Sequence, residues 1–166
     1  MIFISHSVLE MRMMTDDVIV IEKGCIHQHG KTEELVKKSW NRGLESYVNL
    51  INLGSASPYK DLFRYHWGDT RIILTEPADG EENLFELDSR DILLFKRHPE
   101  ATSARNLLAC NVTDIYRCGN RVRVALACGN EHLIAQIVPE SVCELGIKVG
   151  TMVVAAIKAS AFKKIF

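Results

Sequence analysis

Arg121-Val122-Arg123-Val124-Ala125-Leu126-Ala127-Cys128, followed by Gly129-Asn130, is the stretch on which the reading of this chain turns. Val122, Val124 and Leu126 alternate with Arg121, Arg123 and Ala125, the two-residue period of a strand with one buried face. That period assigns Arg121 and Arg123 to the solvated face. Gly129-Asn130 turns the strand back into another from His132 to Val138, and Cys118-Gly119-Asn120 turns into it from a strand over Leu107 to Tyr116. Pro139 to Leu145 then reads as a short helix with Pro139 near its start. Gly146 and Gly150 flank a loop, and Thr151 to Lys158 forms the last strand. Strand, hairpin, strand, short helix, strand is the order of a small OB-like barrel. Residues 102–166 are therefore expected to form a domain of their own.

Upstream, Arg71–Leu74, Asn83–Leu87 and Asp91–Phe95 read as short strands separated by Pro77-Ala78-Asp79-Gly80 and Asp88-Ser89. They suggest a divergent first OB-like repeat over residues 59–101, sharing strands with the second. Gly54-Ser55-Ala56-Ser57-Pro58 is the best break. Before it, Leu44, Tyr47, Val48 and Ile51 share one helical face, so residues 37–58 read as a helical linker. Further upstream, Met1–Ile4 and Val18–Ile21 are apolar runs joined by a helix over residues 7–14 with Ser7 as its cap. Such runs suggest parallel strands buried on both faces. A strand over Cys25–Gly30 and a helix over Thr32–Trp40, capped by Thr32, complete the segment. The expected fold class is an α/β remnant followed by mainly β structure in OB-like barrels.

Composition narrows the function classes. In 166 residues, 20 Lys and Arg face 21 Asp and Glu, a net charge of -1. This excludes the basic footprint of a general nucleic-acid binder but not a small positive pocket. No apolar run approaches the ~20 residues of a membrane span, and no signal-peptide pattern is present. The five cysteines are odd in number and form no C-x-x-C pair, so they are expected to be reduced thiols in a cytoplasmic protein. His27-x-His29 places two imidazoles on one strand face without a third ligand nearby, which reads as a solvated strand end and not a metal site.

The C-terminal segment resembles the molybdate-binding (molbindin-type, Mop/TOBE) domain. Ser103-Ala104-Arg105-Asn106-Leu107-Leu108 is close to that family's S-A-R-N-x-L start, and Ser141-x-x-x-Leu145-Gly146-Ile147-Lys148-x-Gly150 matches its S-x-x-x-L-G-L-K-x-G. Ala156-Ile157-Lys158-Ala159-Ser160 matches its A-x-I-K-A-S. Residues 1–36 resemble the end of an ABC-transporter ATPase domain. There Phe3-Ile4-Ser5-His6-Ser7 looks like the strand with the switch histidine, and Asp17 to Ile26, Gly30 and Glu33-Glu34-Leu35 follow the pattern of the next segment. Together they resemble the C-terminal half of a molybdate importer's ATP-binding subunit. No G-x-x-x-x-G-K-[ST] loop occurs in the sequence, and the Walker B and signature motifs are missing too. The chain by itself is thus expected to bind no ATP and to be no enzyme, with His6 a remnant; it reads as a fragment, a split gene product or a degraded paralogue.

The resemblance implies an oxyanion site for molybdate or tungstate, built from hydrogen-bond donors with cationic charge nearby. Ser103 and Ser160 offer hydroxyls, Arg105 and Lys158 offer charge, Ala104, Arg105 and Ser160 offer backbone N–H groups, and Asn106 and Ala159 complete the two motifs. Ser141 stands at the start of the short helix, where the helix dipole favours an anion. Val138 departs from the family, which has Thr there, and so removes one donor. The family also implies sites shared between barrel domains, hence a homodimer, with transporter ATPase or permease subunits as further partners. Nucleic acid is not expected, and the membrane only through those subunits, on its inner face. The alternative is a ligand-free interaction and dimerisation domain of such an ATPase subunit.

Overall fold

The computed structural model describes residues 2–38, 46–77 and 83–165, with the chain dividing into two compact units, Met1–Glu45 and Ser46–Phe166. The first is a small α/β unit: α1 Val8–Met14, β1 Asp17–Glu22, β2 Cys25–Lys31 and α2 Thr32–Lys38. Ser7 caps α1, its Oγ accepting from the Glu10 N–H at 3.3 Å. Thr32 does not cap α2 but begins it, and its hydroxyl donates to the Thr15 carbonyl at 3.0 Å. Arg12 meets Glu33 at 2.6 Å and so ties α1 to α2.

Two expectations change here. Residues 2–4 form no strand, and β1 pairs antiparallel with β2, not in a parallel sheet. The tight turn at Lys23-Gly24, both with positive φ, returns the chain at once, whereas a parallel partner would need a long crossover. The run Val18–Ile21 is buried on one face only: Val20 is buried, whereas Ile19 and Ile21 are 58% and 66% exposed, as is Ile26 of β2 at 69%. The readings that fall on Met1, Trp40, Leu44 and Ala78–Gly80 lie outside the described residues.

The second unit is mainly β. Its strands are β3 Val48–Asn52, β4 Ala56–Tyr59, β5 Leu62–Trp67, β6 Thr70–Leu74, β7 Leu84–Asp88 and β8 Leu93–Phe95. They are followed by β9 Asn106–Cys118, β10 Arg121–Cys128, β11 Glu131–Ile137, β12 Met152–Ile157 and β13 Phe162–Lys164. A helix, α3 Pro139–Leu145, precedes β12, and single 3-10 turns, Ser89–Asp91 and Ala159–Ala161, follow β7 and β12. The sheets run β11-β10-β9-β12-β8, β13-β7-β3 and β4-β5-β6.

The long β9 serves twice. Its first half pairs with β12 and its second with β10, with a register break beside Ala125 and Leu126 that bends the strand between the two tasks. Earlier in the chain the same work is divided: β3 pairs with β7, and β4 with β5. The order β3–β4, β5, β6, β7, β8 thus repeats as β9, β10, β11, β12, β13. The last strands are exchanged, β8 pairing with β12 and β13 with β7. Each half lends its end to the other's sheet, and one apolar core runs through both, including Tyr65, Phe85, Leu87, Val112, Leu126, Ala155 and Phe162. The Tyr65 and Phe85 rings meet edge-on at 5.5 Å.

Three sequence expectations give way in this unit. Val48–Asn52 is a strand, not part of a helical linker: Tyr47, Asn49, Ile51 and Leu53 are the buried set, with a period of two that the polar Asn49 disguises. The chain consequently divides before Ser46 and not at residue 58. Arg123 is 1% exposed, not solvated. Its strand lies between β9 and β11, and its guanidinium lies 5.7 Å from the centre of the Tyr47 ring, a cation–π contact that offsets part of the cost of burial. Cys110 and Cys128, expected as thiols, form a disulfide between β9 and β10, leaving Cys25, Cys118 and Cys143 free. The β9–β10 register pairs Ala127 with Asn111, so one step further sets the two cysteines opposite each other.

Candidate functional site

The register of β9 against β12 builds the site. Asn106 pairs with Ile157, the first residue of β9 against the last of β12. Ser103-Ala104-Arg105 therefore enters, and Lys158-Ala159-Ser160 leaves, at the same end of one antiparallel pair. Segments 55 residues apart in sequence, Ser103 to Lys158, become neighbours through ordinary ladder hydrogen bonds. Ala104 and Ala159 are buried, whereas Ser103, Arg105, Lys158 and Ser160 are exposed. Among the described residues neither Arg105 nor Lys158 forms an ion pair. The edge thus presents two hydroxyls and two uncompensated cations, donors suited to an oxyanion. A guanidinium spans two oxygens, while an ammonium acts as a point charge.

Asn106 holds this edge in place and does not contribute its side chain to it. It is 3% exposed. Its Oδ1 accepts from the Ile73 N–H at 2.6 Å, and its Nδ2 donates to the carbonyls of Ile73 at 2.9 Å and Ile157 at 3.4 Å. Both amide hydrogens are engaged, so the side chain of this motif residue has no donor left for a ligand. What it does is lock β6 onto the β9–β12 pair beside Arg105.

Ser141 lies elsewhere. It is the third residue of α3, which follows β11, and Ile137 at the end of β11 pairs with Val122, itself opposite Arg117 near the far end of β9. Within one chain the backbone pairing does not bring Ser141 to the Arg105–Lys158 edge. Val138, half exposed, is the N-cap of α3 and makes no side-chain capping bond, so the missing hydroxyl is missing at a helix start. Gly146 closes α3 at φ 62°, a left-handed backbone that favours glycine, which accounts for the Leu-Gly of the motif. His6 is exposed in the first unit, beside the open apolar side chains of Ile2, Ile4 and Ile26.

Sequence reasoning missed the counterpart of this edge in the first half of the unit. Asn49 is buried and repeats the bonds of Asn106: its Nδ2 donates to the carbonyls of Leu87 at 3.2 Å and Ile134 at 3.0 Å, and its Oδ1 accepts from the Ile134 N–H at 2.7 Å. Asn49 pairs with Leu87 as Asn106 pairs with Ile157. The signal in the sequence was Ser46-x-x-Asn49-Leu50 against Ser103-x-x-Asn106-Leu107, hidden inside the stretch read as a linker.

Residues 102–163 match the model of the TOBE domain. The chain is 29% identical over 171 residues to the molybdenum import ATP-binding protein ModC of Yersinia pseudotuberculosis serotype I (strain IP32953), covering 98% of this chain and 47% of that protein. It is also 29% identical over 167 residues to ModC of Escherichia coli (strain K12), with 96% and 47% covered. The chain spans about half the length of the curated relatives it matches. Among solved structures, the cytoplasmic molybdate-binding protein ModG in a molybdate-bound crystal form superposes with a TM-score of 0.58 at 22% identity. That superposition covers 73% of this chain and 96% of the ModG chain, a likeness of fold.

Proposed function

We propose, with the TOBE match of residues 102–163 as premise, that this chain is the oxyanion-binding regulatory part of a molybdate importer's ATP-binding subunit. The ligand is molybdate or tungstate, tetrahedral dianions of similar size. The observation that carries the reading is the Asn106–Ile157 register, which sets Ser103 and Arg105 beside Lys158 and Ser160 with both cations unpaired. No strand pairing within the chain brings Ser141 to this edge, which favours a shared site, in which α3 of a second copy completes the donor set. Residues 1–36 are on this reading the tail of an ATPase domain, residues 46–101 the divergent first OB-like repeat, and the chain is non-catalytic, cytoplasmic and dependent on transporter subunits for any contact with the membrane.

The test is titration calorimetry of the full chain with molybdate, with sulfate as the control. Saturable heat with molybdate alone is expected. Removing one charged hydrogen-bond partner costs about 1.5–3 kcal/mol, so Arg105→Ala or Lys158→Ala should weaken binding roughly ten- to a hundredfold. A folded chain that gives no heat at millimolar molybdate would leave only an interaction and dimerisation role.

A further inference from the structure

The repeated topology allows the two halves of the second unit to be compared residue by residue. Asn49 corresponds to Asn106 and Leu87 to Ile157 by pairing and by identical side-chain bonding. Counting from these pins, Ser46 stands where Ser103 stands, Val48 where Arg105 does, Asp88 where Lys158 does, and Arg90 where Ser160 does. Both Asp88 and Lys158 directly precede a three-residue 3-10 turn. The first edge therefore keeps one of the two hydroxyls, has Arg90 in place of the other, loses the Arg105 cation to valine, and carries a carboxylate where the second edge carries an ammonium.

That carboxylate is fully engaged. Asp88 Oδ2 accepts from the Ser46 hydroxyl at 2.6 Å and from Arg90 Nη2 at 2.9 Å. Its Oδ1 accepts from the Arg90 main-chain N–H at 2.8 Å and from Arg90 Nε at 3.1 Å. A hydroxyl and a two-pronged guanidinium are the donors a tetrahedral oxyanion would use, and here they hold a carboxylate of the protein itself. Burial by itself would raise the Asp88 pKa, but the hydrogen bonds from Arg90 and Ser46 outweigh it and hold the carboxyl below its ordinary value. At the second edge Lys158 makes no capping bond, and Arg105 and Lys158 remain unpaired.

We propose that Asp88 is a built-in substitute anion: it fills the first half's counterpart of the oxyanion edge, so that only the Arg105–Lys158 edge of each chain is open to a dissolved oxyanion. An internal carboxylate pays no cost of association and repels any anion that approaches Ser46 and Arg90. Replacing it opens a latent second site for the same class of ligand. The inference rests on the oxyanion reading of the Arg105–Lys158 edge.

Molybdate titration of wild type, Asp88→Asn and Asp88→Asn/Arg90→Ala, as full-length chains, separates the two claims. Asparagine caps a turn as well as aspartate does, so Asp88→Asn should fold; Asp88→Ser serves if thermal melting shows that it does not. The expected result is one additional molybdate bound per chain at saturation in Asp88→Asn, lost again in the double variant. Unchanged stoichiometry in both folded Asp88 variants, with wild type binding normally, overturns this inference alone. An absence of binding in wild type overturns the oxyanion reading of the Arg105–Lys158 edge, and with it the inference that rests on it.

Discussion

Asn106 shows how much one buried side chain can hold. Truncating it strands the N–H and C=O of Ile73 and removes a donor from the carbonyl of Ile157. Each buried polar group left unsatisfied costs about 1–3 kcal/mol. Asn106→Ala should therefore lower stability by about 3 kcal/mol in urea unfolding, and molybdate affinity should fall with it because β6 no longer pins the strand end beside Arg105. A loss below about 0.5 kcal/mol, the level of an ordinary surface substitution, would show that the pin is unimportant. Arg123 illustrates the opposite relation between charge and place. Its alternation with valines suggested solvent, yet Tyr47, far away in sequence, covers it.

At the scale of elements, the β9–β10 pair is the most strongly tied part of the second unit, carrying a long ladder and the Cys110–Cys128 disulfide. With a sequence separation of 18, the chain-entropy model gives the cross-link a contribution of about 3 kcal/mol. Alkylation of the chain unfolded without reductant should label only Cys25, Cys118 and Cys143, and all five cysteines once reductant is added. Labelling of all five without reductant would remove the cross-link from this account. The helix α3 is tied less firmly at its start, where Val138 supplies no cap, and more firmly at its end, where the Gly146 N–H reaches the Cys143 carbonyl at 3.1 Å.

At the scale of the whole molecule, the two compact units differ in how completely they bury their apolar residues. The second encloses a continuous core, from Ile51 to Phe162. The first leaves Ile2 92% and Ile4 87% exposed, together with Ile19, Ile21 and Ile26. Exposed apolar patches of this kind promote association. A fragment of residues 46–166 should unfold cooperatively by itself and stay soluble at concentrations where the 166-residue chain aggregates, as light scattering would register. A fragment without a cooperative transition would show that the second unit depends on the first.

Local pattern determined what local physics can reach. The alternation through Val122, Val124 and Leu126, the turns at Gly119 and Gly129, the Ser7 cap and the short helix before Gly146 were all legible, because each follows from a few neighbouring residues. So were the two motifs of the Arg105–Lys158 edge and their family resemblance. Only the tertiary structure decided how they lie relative to one another. Asn49 disguised a strand as a helix because its polar amide is buried by partners on β7 and β11, which no window around residue 49 contains. The burial of Arg123, the Cys110–Cys128 pairing, the occupation of Asn106 and the bond from Ser46 to Asp88 likewise join residues distant in sequence. Hydrogen bonds and ion pairs are set by position in space, and position in space comes from the register of the whole sheet.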